Sequence, residues 1–138
     1  MTTQLAGAEY PAPPAKIPAR VLVIDDEPLV RWALAASLTA AGYDVLTATT
    51  GEEACQLAAQ MPNPAVVLLD LRPRDTHGRA LFDEIRRRAP QCRLLVLTTE
   101  RRDDASPAWL GAQVIEKPFD LVDVVRLVSE AMSVGSST

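Results

Sequence analysis

Along this chain, short unbroken runs of apolar residues alternate with longer stretches in which apolar residues return every three or four positions. The first run, Val21-Leu22-Val23-Ile24, closes on Asp25, Asp26 and Glu27. A continuous aliphatic, β-branched run is the pattern of a strand covered on both faces; a half-solvated strand would alternate instead. Pro28 follows in a position that a first helical turn accepts. Leu29, Val30, Trp32, Ala33, Ala36, Ser37 and Leu38 then keep helical spacing up to Gly42. Tyr43 to Ala48 predicts a second strand, and Thr50 or Gly51 opens a helix through Glu52, Ala54, Leu57 and Ala58. The Pro62-Asn63-Pro64 turn leads into Ala65-Val66-Val67-Leu68-Leu69, which ends on Asp70. After Gly78, Leu81, Phe82, Ile85 and Arg88 predict a helix that stops at Pro90. Arg93 to Thr98 is a fourth apolar strand, ending in hydroxyls. Between Thr99 and Gly111 the periodicity weakens, because Arg101 to Asp104 is a charge run and Ser106-Pro107 reads as a cap with the first helical residue. The helix there is predicted to be short or irregular. Ala112 to Glu116 is a fifth strand, closed by Lys117-Pro118-Phe119. Leu121, Val124, Val125, Leu127, Val128 and Met132 predict a last helix that fades into Gly135 and the residues after it.

Five strands alternating with helices, most of them wholly apolar, predict an α/β domain. Its core would be a doubly wound parallel sheet with right-handed crossovers. In such sheets ligands bind beyond the carboxyl ends of the strands, at the point where the winding reverses. With strand order 2-1-3-4-5, the first, third, fourth and fifth strands are neighbours. Their ends carry Asp25 and Asp26, Asp70, Thr98 and Lys117, and the edge strand brings nothing comparable. One such acid could simply cap a turn. Three carboxylates, a hydroxyl and an ammonium meeting at the switch point predict a site. Clustered carboxylates repel one another unless a cation sits among them. Oxygen ligands of this kind suit Mg²⁺, the usual ion of phosphoryl chemistry. An aspartate can itself be the nucleophile, and a hydroxyl with an ammonium can hold phosphoryl oxygens.

Composition narrows the partners. At 138 residues with 48% apolar content, the chain has the length of one domain and enough apolar surface for a core. A net charge of -4 gives no electrostatic reason for direct nucleic-acid binding or attachment to an anionic membrane. Neither a membrane span nor a signal peptide is written in the sequence, so a cytoplasmic location is the expectation. Residues 1–19 hold Pro11, Pro13, Pro14 and Pro18 among small residues and read as a flexible leader. Residues 20–132 form the expected domain, with 133–138 a flexible tail. Cys55 and Cys92 have no metal-ligand spacing and read as reduced, structural thiols.

Taken in order, V-L-V-I-D-D-E-P, V-V-L-L-D-L-R with Gly78 after it, L-V-L-T-T and E-K-P-F resemble the receiver domain of two-component response regulators. The resemblance runs from Arg20 to about Met132, and D-D-E-P-L-V-R-W with D-L-R is most similar to nitrogen-regulator-type receivers. It implies a flavodoxin-like fold and a signalling switch rather than an enzyme. Asp70 would be the phosphoacceptor, charged in a Mg²⁺-dependent step by a histidine kinase or phosphotransfer protein. Asp26 would be the direct metal ligand alongside Asp70, Asp25 its partner, and the backbone carbonyl of Arg72 a further ligand. Thr98 matches the switch hydroxyl and Lys117 the phosphoryl-binding lysine, and the bond before Pro118 is typically cis in the family. Nitrogen-regulator receivers usually precede an ATPase module and a DNA-binding module. The expectation is therefore a single-domain regulator or a fragment of a longer one, with an unidentified output partner or effector domain and a homodimer left open.

Three departures from the family pattern bear on how a signal leaves the domain. Val114 stands where an aromatic switch residue is common, the stretch from Thr98 to Lys117 is short, and Pro73-Arg74 replaces the usual apolar-proline pair after Asp70. They keep open a second reading, an atypical receiver used mainly as a protein-interaction module with weak or absent phosphorylation. A phosphatase with an aspartyl-phosphate intermediate would want an acid two residues after the nucleophile, where this chain has Arg72. Among the remaining residues, Trp32 and Trp109 read as packing residues and His77 as a solvent-facing loop residue. The Arg86-Arg87-Arg88 and Arg101-Arg102 runs read as solvated faces.

Overall fold

In the computed structural model, residues 19–61, 65–70, 76–98 and 112–136 are described. They form strands β1 (Arg20–Ile24), β2 (Asp44–Ala48), β3 (Ala65–Asp70), β4 (Arg93–Thr98) and β5 (Gln113–Glu116), with helices α1 (Pro28–Ala40), α2 (Gly51–Ala59), α3 (Thr76–Arg88) and α4 (Leu121–Ser136). The strands pair in parallel in the order β2-β1-β3-β4-β5. This is the predicted doubly wound sheet. The Arg72 carbonyl, the Pro73-Arg74 pair, Trp109 and the helix expected between β4 and β5 lie outside the described residues.

Strand alternation divides the core into two layers. Leu22, Ile24, Val67, Leu69 and Val96 pack with Ala54, Cys55, Phe82 and Ile85 of α2 and α3. Val21, Val23, Val66, Leu68, Leu95, Leu97 and Ile115 pack with Leu34, Leu38, Val124 and Val128 of α1 and α4. Phe82 is 1% exposed at the centre of the first layer. Phe82→Ala should cost about 3–5 kcal/mol through lost burial and a residual cavity, read as a lower urea midpoint at unchanged slope.

Local signals explain the element ends. Gly42, at φ 102°, follows α1 in the left-handed conformation, its amide donating to the Thr39 carbonyl and that of Tyr43 to the Leu38 carbonyl. That pair of bonds is a Schellman stop, and a side chain at Gly42 would strain it. Thr50 caps α2 by accepting the Glu53 amide at 3.2 Å.

Three sequence expectations need correction. Helix α3 begins at Thr76, before Gly78, so His77 lies in its first turn and not in a loop. Helix α4 continues through Gly135 to Ser136, past Met132, after which the tail was expected. Trp32 is 71% exposed and is no core residue. It lies two positions from the buried Leu34, a rotation of about 200° at the helical period, and so on the opposite side of α1. The arginines of α3 behave as expected for a solvated face, with Arg87 and Arg88 paired to Glu84. Both cysteines are free, and burial pushes the Cys92 thiol up to about 11. No helix among the described residues is long and apolar enough to cross a membrane.

Candidate functional site

The carboxyl ends of β1, β3, β4 and β5 meet along one edge of the sheet, and strand register decides which side chains face each other. Asp70 pairs with Leu97, and Leu97 with Ile115. The ladder continues one step further, with the Lys117 amide donating to the Thr98 carbonyl at 2.9 Å. Lys117, two residues past Ile115, therefore leaves the sheet on the same face as Ile115 and Leu97. By the same alternation Asp25 continues the row of Val21 and Val23, and Asp70 the row of Val66 and Leu68. The three side chains converge on the α1 and α4 side.

The contacts follow that placement. The Lys117 ammonium donates to Asp70 Oδ1, with the Asp70 side chain 5% exposed and that of Lys117 23%. Asp25 is 1% exposed. Its Oδ1 accepts the Glu27 amide at 2.9 Å, and its Oδ2 has no partner. The guanidinium of Arg31 reaches back from α1 to the Asp25 carbonyl at 2.8 Å, tying the acidic loop to the helix that follows it. Thr98 is buried at the end of β4, and the Lys117–Pro118 peptide is cis. Val114 packs against the layer under α2 and α3, opposite the side on which the acids meet.

Burial is the main reason that the Asp25 carboxyl is pushed from an ordinary 3.8 up to about 7. The neighbouring Asp70 carboxyl acts in the same direction, while the Glu27 amide and Lys117 oppose it.

Asp25, Glu27 and Asp70 each offer an oxygen, and these oxygens lie within 4.8 Å of one another. An all-oxygen set that includes a buried, unpartnered carboxylate atom fits a hard divalent cation such as Mg²⁺. The cluster differs from the sequence expectation in one member. Asp26 is exposed and is not among the three, and Glu27, which sequence reading left out of the site, is. The signal for Glu27 was the third acid of D-D-E itself. Once Asp25 continues the β1 row, the residue two further along returns to its side of the loop.

The response regulator receiver domain family matches this chain over residues 21–129. The DNA-binding transcriptional regulator NtrC of Klebsiella pneumoniae is 34% identical over 114 residues, covering 80% of this chain and 24% of that protein. The transcriptional regulatory protein KdpE of Mycobacterium tuberculosis is 40% identical over 115 residues, 81% of this chain and 50% of that protein. The chain thus spans about a quarter to a half of the length of these relatives. Among solved structures, the chemotaxis response regulator CheY4 of Vibrio cholerae superposes with a TM-score of 0.70 at 28% identity, covering 82% of this chain and 98% of that one. The response regulator TrrA of Thermotoga maritima, in complex with Mg(2+)-BeF, gives 0.68 at 28% identity over 82% of this chain and 98% of that one. With the sheet order, the acidic switch-point cluster and a family match over residues 21–129, the chain belongs to the receiver-domain family of two-component response regulators.

Proposed function

We propose that this domain is a phosphorylation-controlled signalling switch in which Asp70 accepts a phosphoryl group from a histidine kinase or phosphotransfer protein. The observation that carries the reading is the Lys117 ammonium on Asp70 beside a buried Asp25 carboxylate that has an oxygen to spare. In the transfer, an Asp70 oxygen forms a bond to phosphorus as the bond from phosphorus to the donor nitrogen breaks, and the electron pair leaves on that nitrogen. Mg²⁺ held by Asp25, Asp70 and their acidic neighbours would neutralise charge on the transferring group. Asp26 and the Arg72 carbonyl belong to the proposed metal shell by family resemblance.

Lys117, paired with Asp70, and by family resemblance the buried Thr98 hydroxyl are the groups that would hold phosphoryl oxygens. Phosphorylation adds roughly -1.5 to -2 charges at Asp70. The pairing of Lys117 and the seat of Thr98 then become the differential contacts that bias two states of the domain. The complex of TrrA with Mg(2+)-BeF lends support, since that relative shares the fold and was crystallised with the ion and a fluoride of the kind proposed as a probe here. A receiver kept only as an interaction surface would have no use for a buried carboxylate facing a second one, an arrangement that costs stability. Phosphorylation is therefore the preferred reading.

The test is a beryllofluoride titration with Mg²⁺ followed by amide chemical shifts. The parent should show saturable shifts around residues 25–27, 70, 98 and 117, and Asp70→Asn should show none. Equal shifts in both proteins would overturn the assignment of Asp70.

A further inference from the structure

Glu27 is the exposed member of the acidic cluster. Its side chain makes no cap to α1, although Glu27 occupies the N-cap position. It also lines an open pocket with Lys117, Val30, Pro118 and Phe119. Its carboxylate oxygen lies within 4.8 Å of an Asp70 oxygen, so a donor that reaches Asp70 meets the Glu27 charge, while the Lys117 ammonium is already engaged by Asp70. When a divalent cation is bound, its charge and that of Lys117 balance the charges of Asp25, Glu27 and Asp70. Removing Glu27 would leave that group net positive.

We propose that Glu27 sets donor selectivity. Its carboxylate disfavours doubly charged small phosphodonors and leaves the site best matched to a phosphoryl group carried on nitrogen, where the donor brings less net negative charge. This rests on the reading of Asp70 as phosphoacceptor. With acetyl phosphate, the Asp70 oxygen bonds to phosphorus as the phosphorus–oxygen bond to the acetyl group breaks, and acetate departs with the electron pair. With zwitterionic phosphoramidate, the phosphorus–nitrogen bond breaks and ammonia departs with the electron pair, its protons already in place. The first donor brings two negative charges past Glu27 and the second brings one net charge, so the Glu27 field acts more strongly on the first. Two unit charges about 5 Å apart, in surroundings with a dielectric close to that of water, interact by an amount equivalent to roughly 3- to 10-fold in rate, and salt weakens the effect.

The experiment measures second-order labelling of Asp70 by acetyl phosphate and by phosphoramidate at saturating Mg²⁺, in the parent, Glu27→Gln and Glu27→Asp. Glu27→Gln should raise the acetyl phosphate to phosphoramidate ratio about 3- to 10-fold, and Glu27→Asp should keep the parent ratio. The difference should shrink toward unity at about 1 M salt, a response that a change in folding would not give. A Glu27→Gln ratio within a factor of two of the parent at low salt overturns the proposal and leaves the phosphoacceptor reading standing. Absence of labelling in the parent with both donors overturns the two together.

Discussion

Asp25→Asn is expected to make the metal-free domain more stable than the parent above pH 7 and to flatten the fall of its stability with pH. The Asp25 carboxyl ordinarily loses its proton near 3.8 and in the folded domain near 7. Between those values the folded state holds a proton that the unfolded state has released, so stability falls as pH rises across the window. Below about 4 both states are protonated and the cost is absent; above about 7 both are ionised and it is present in full. Asp25 is 1% exposed, so solvent screens little of it, and the window is worth on the order of 3–4 kcal/mol.

Asparagine keeps the acceptor for the Glu27 amide, and its own amide nitrogen can donate to Asp70 where a second carboxylate repelled it. Urea midpoints in chelator at pH 5 and pH 8 measure the difference. The parent should lose stability between these pH values, and Asp25→Asn should lose much less. Mg²⁺ should raise the parent midpoint more at pH 8 than at pH 6, because at the lower pH the ion must displace a proton. In Asp25→Asn that gain should shrink, with affinity lower by about 10- to 100-fold. A parent midpoint in chelator that is flat from pH 5 to pH 8 would show that Asp25 ionises normally.

The strands and their order were legible because a parallel sheet buried on both faces writes itself as unbroken aliphatic runs. The runs at Ala65–Asp70 and Arg93–Thr98 match strands to the residue, and the run at Val21–Ile24 falls one residue short of the start of its strand. Convergence of Asp25, Asp70 and Lys117 was legible for a related reason, since strand order 2-1-3-4-5 makes the ends of the first, third, fourth and fifth strands neighbours at the switch point. Helix ends were less so. Glycine at Gly42 stops α1 because the chain must turn there with positive φ. Gly78 and Gly135 lie inside helices, where glycine costs about 1 kcal/mol and packing of α3 and α4 on the sheet overrides it. Trp32 was misplaced for want of phase: its spacing is helical, but the face of α1 that meets the sheet is set by Leu34 and Leu38. Glu27 was left out because family resemblance supplied the candidate ligands by position, whereas in the fold its carboxylate oxygen lies within 4.8 Å of those of Asp25 and Asp70.

Lys117→Met is expected to destabilise the metal-free domain and at the same time to tighten its grip on Mg²⁺. The Asp70 side chain is 5% exposed and its Oδ1 is held by the Lys117 ammonium, so removing the cation leaves a buried carboxylate without its charge partner. Breaking a buried pair from one side costs about 3–5 kcal/mol, reduced here to roughly 2–4 because Lys117 retains some contact with water. The loss should be larger at pH 8 than at pH 5, since at pH 8 the neighbouring Asp25 carboxyl, pushed up to about 7, is ionised as well. A divalent ion meets the opposite situation. In the parent it must share Asp70 with an ammonium that also repels it, and in Lys117→Met it has those oxygens to itself. Mg²⁺ affinity should therefore rise by about tenfold, equivalent to about 1.4 kcal/mol, and the ion should restore much of the lost stability. Beryllofluoride should nevertheless produce weaker amide shifts around residues 98 and 117, because the phosphoryl mimic loses its cationic partner. Binding calorimetry with Mg²⁺ and urea midpoints with and without the ion separate the two effects. Weaker Mg²⁺ binding in Lys117→Met would mean that the ammonium orders Asp70 for the metal and does not compete with it.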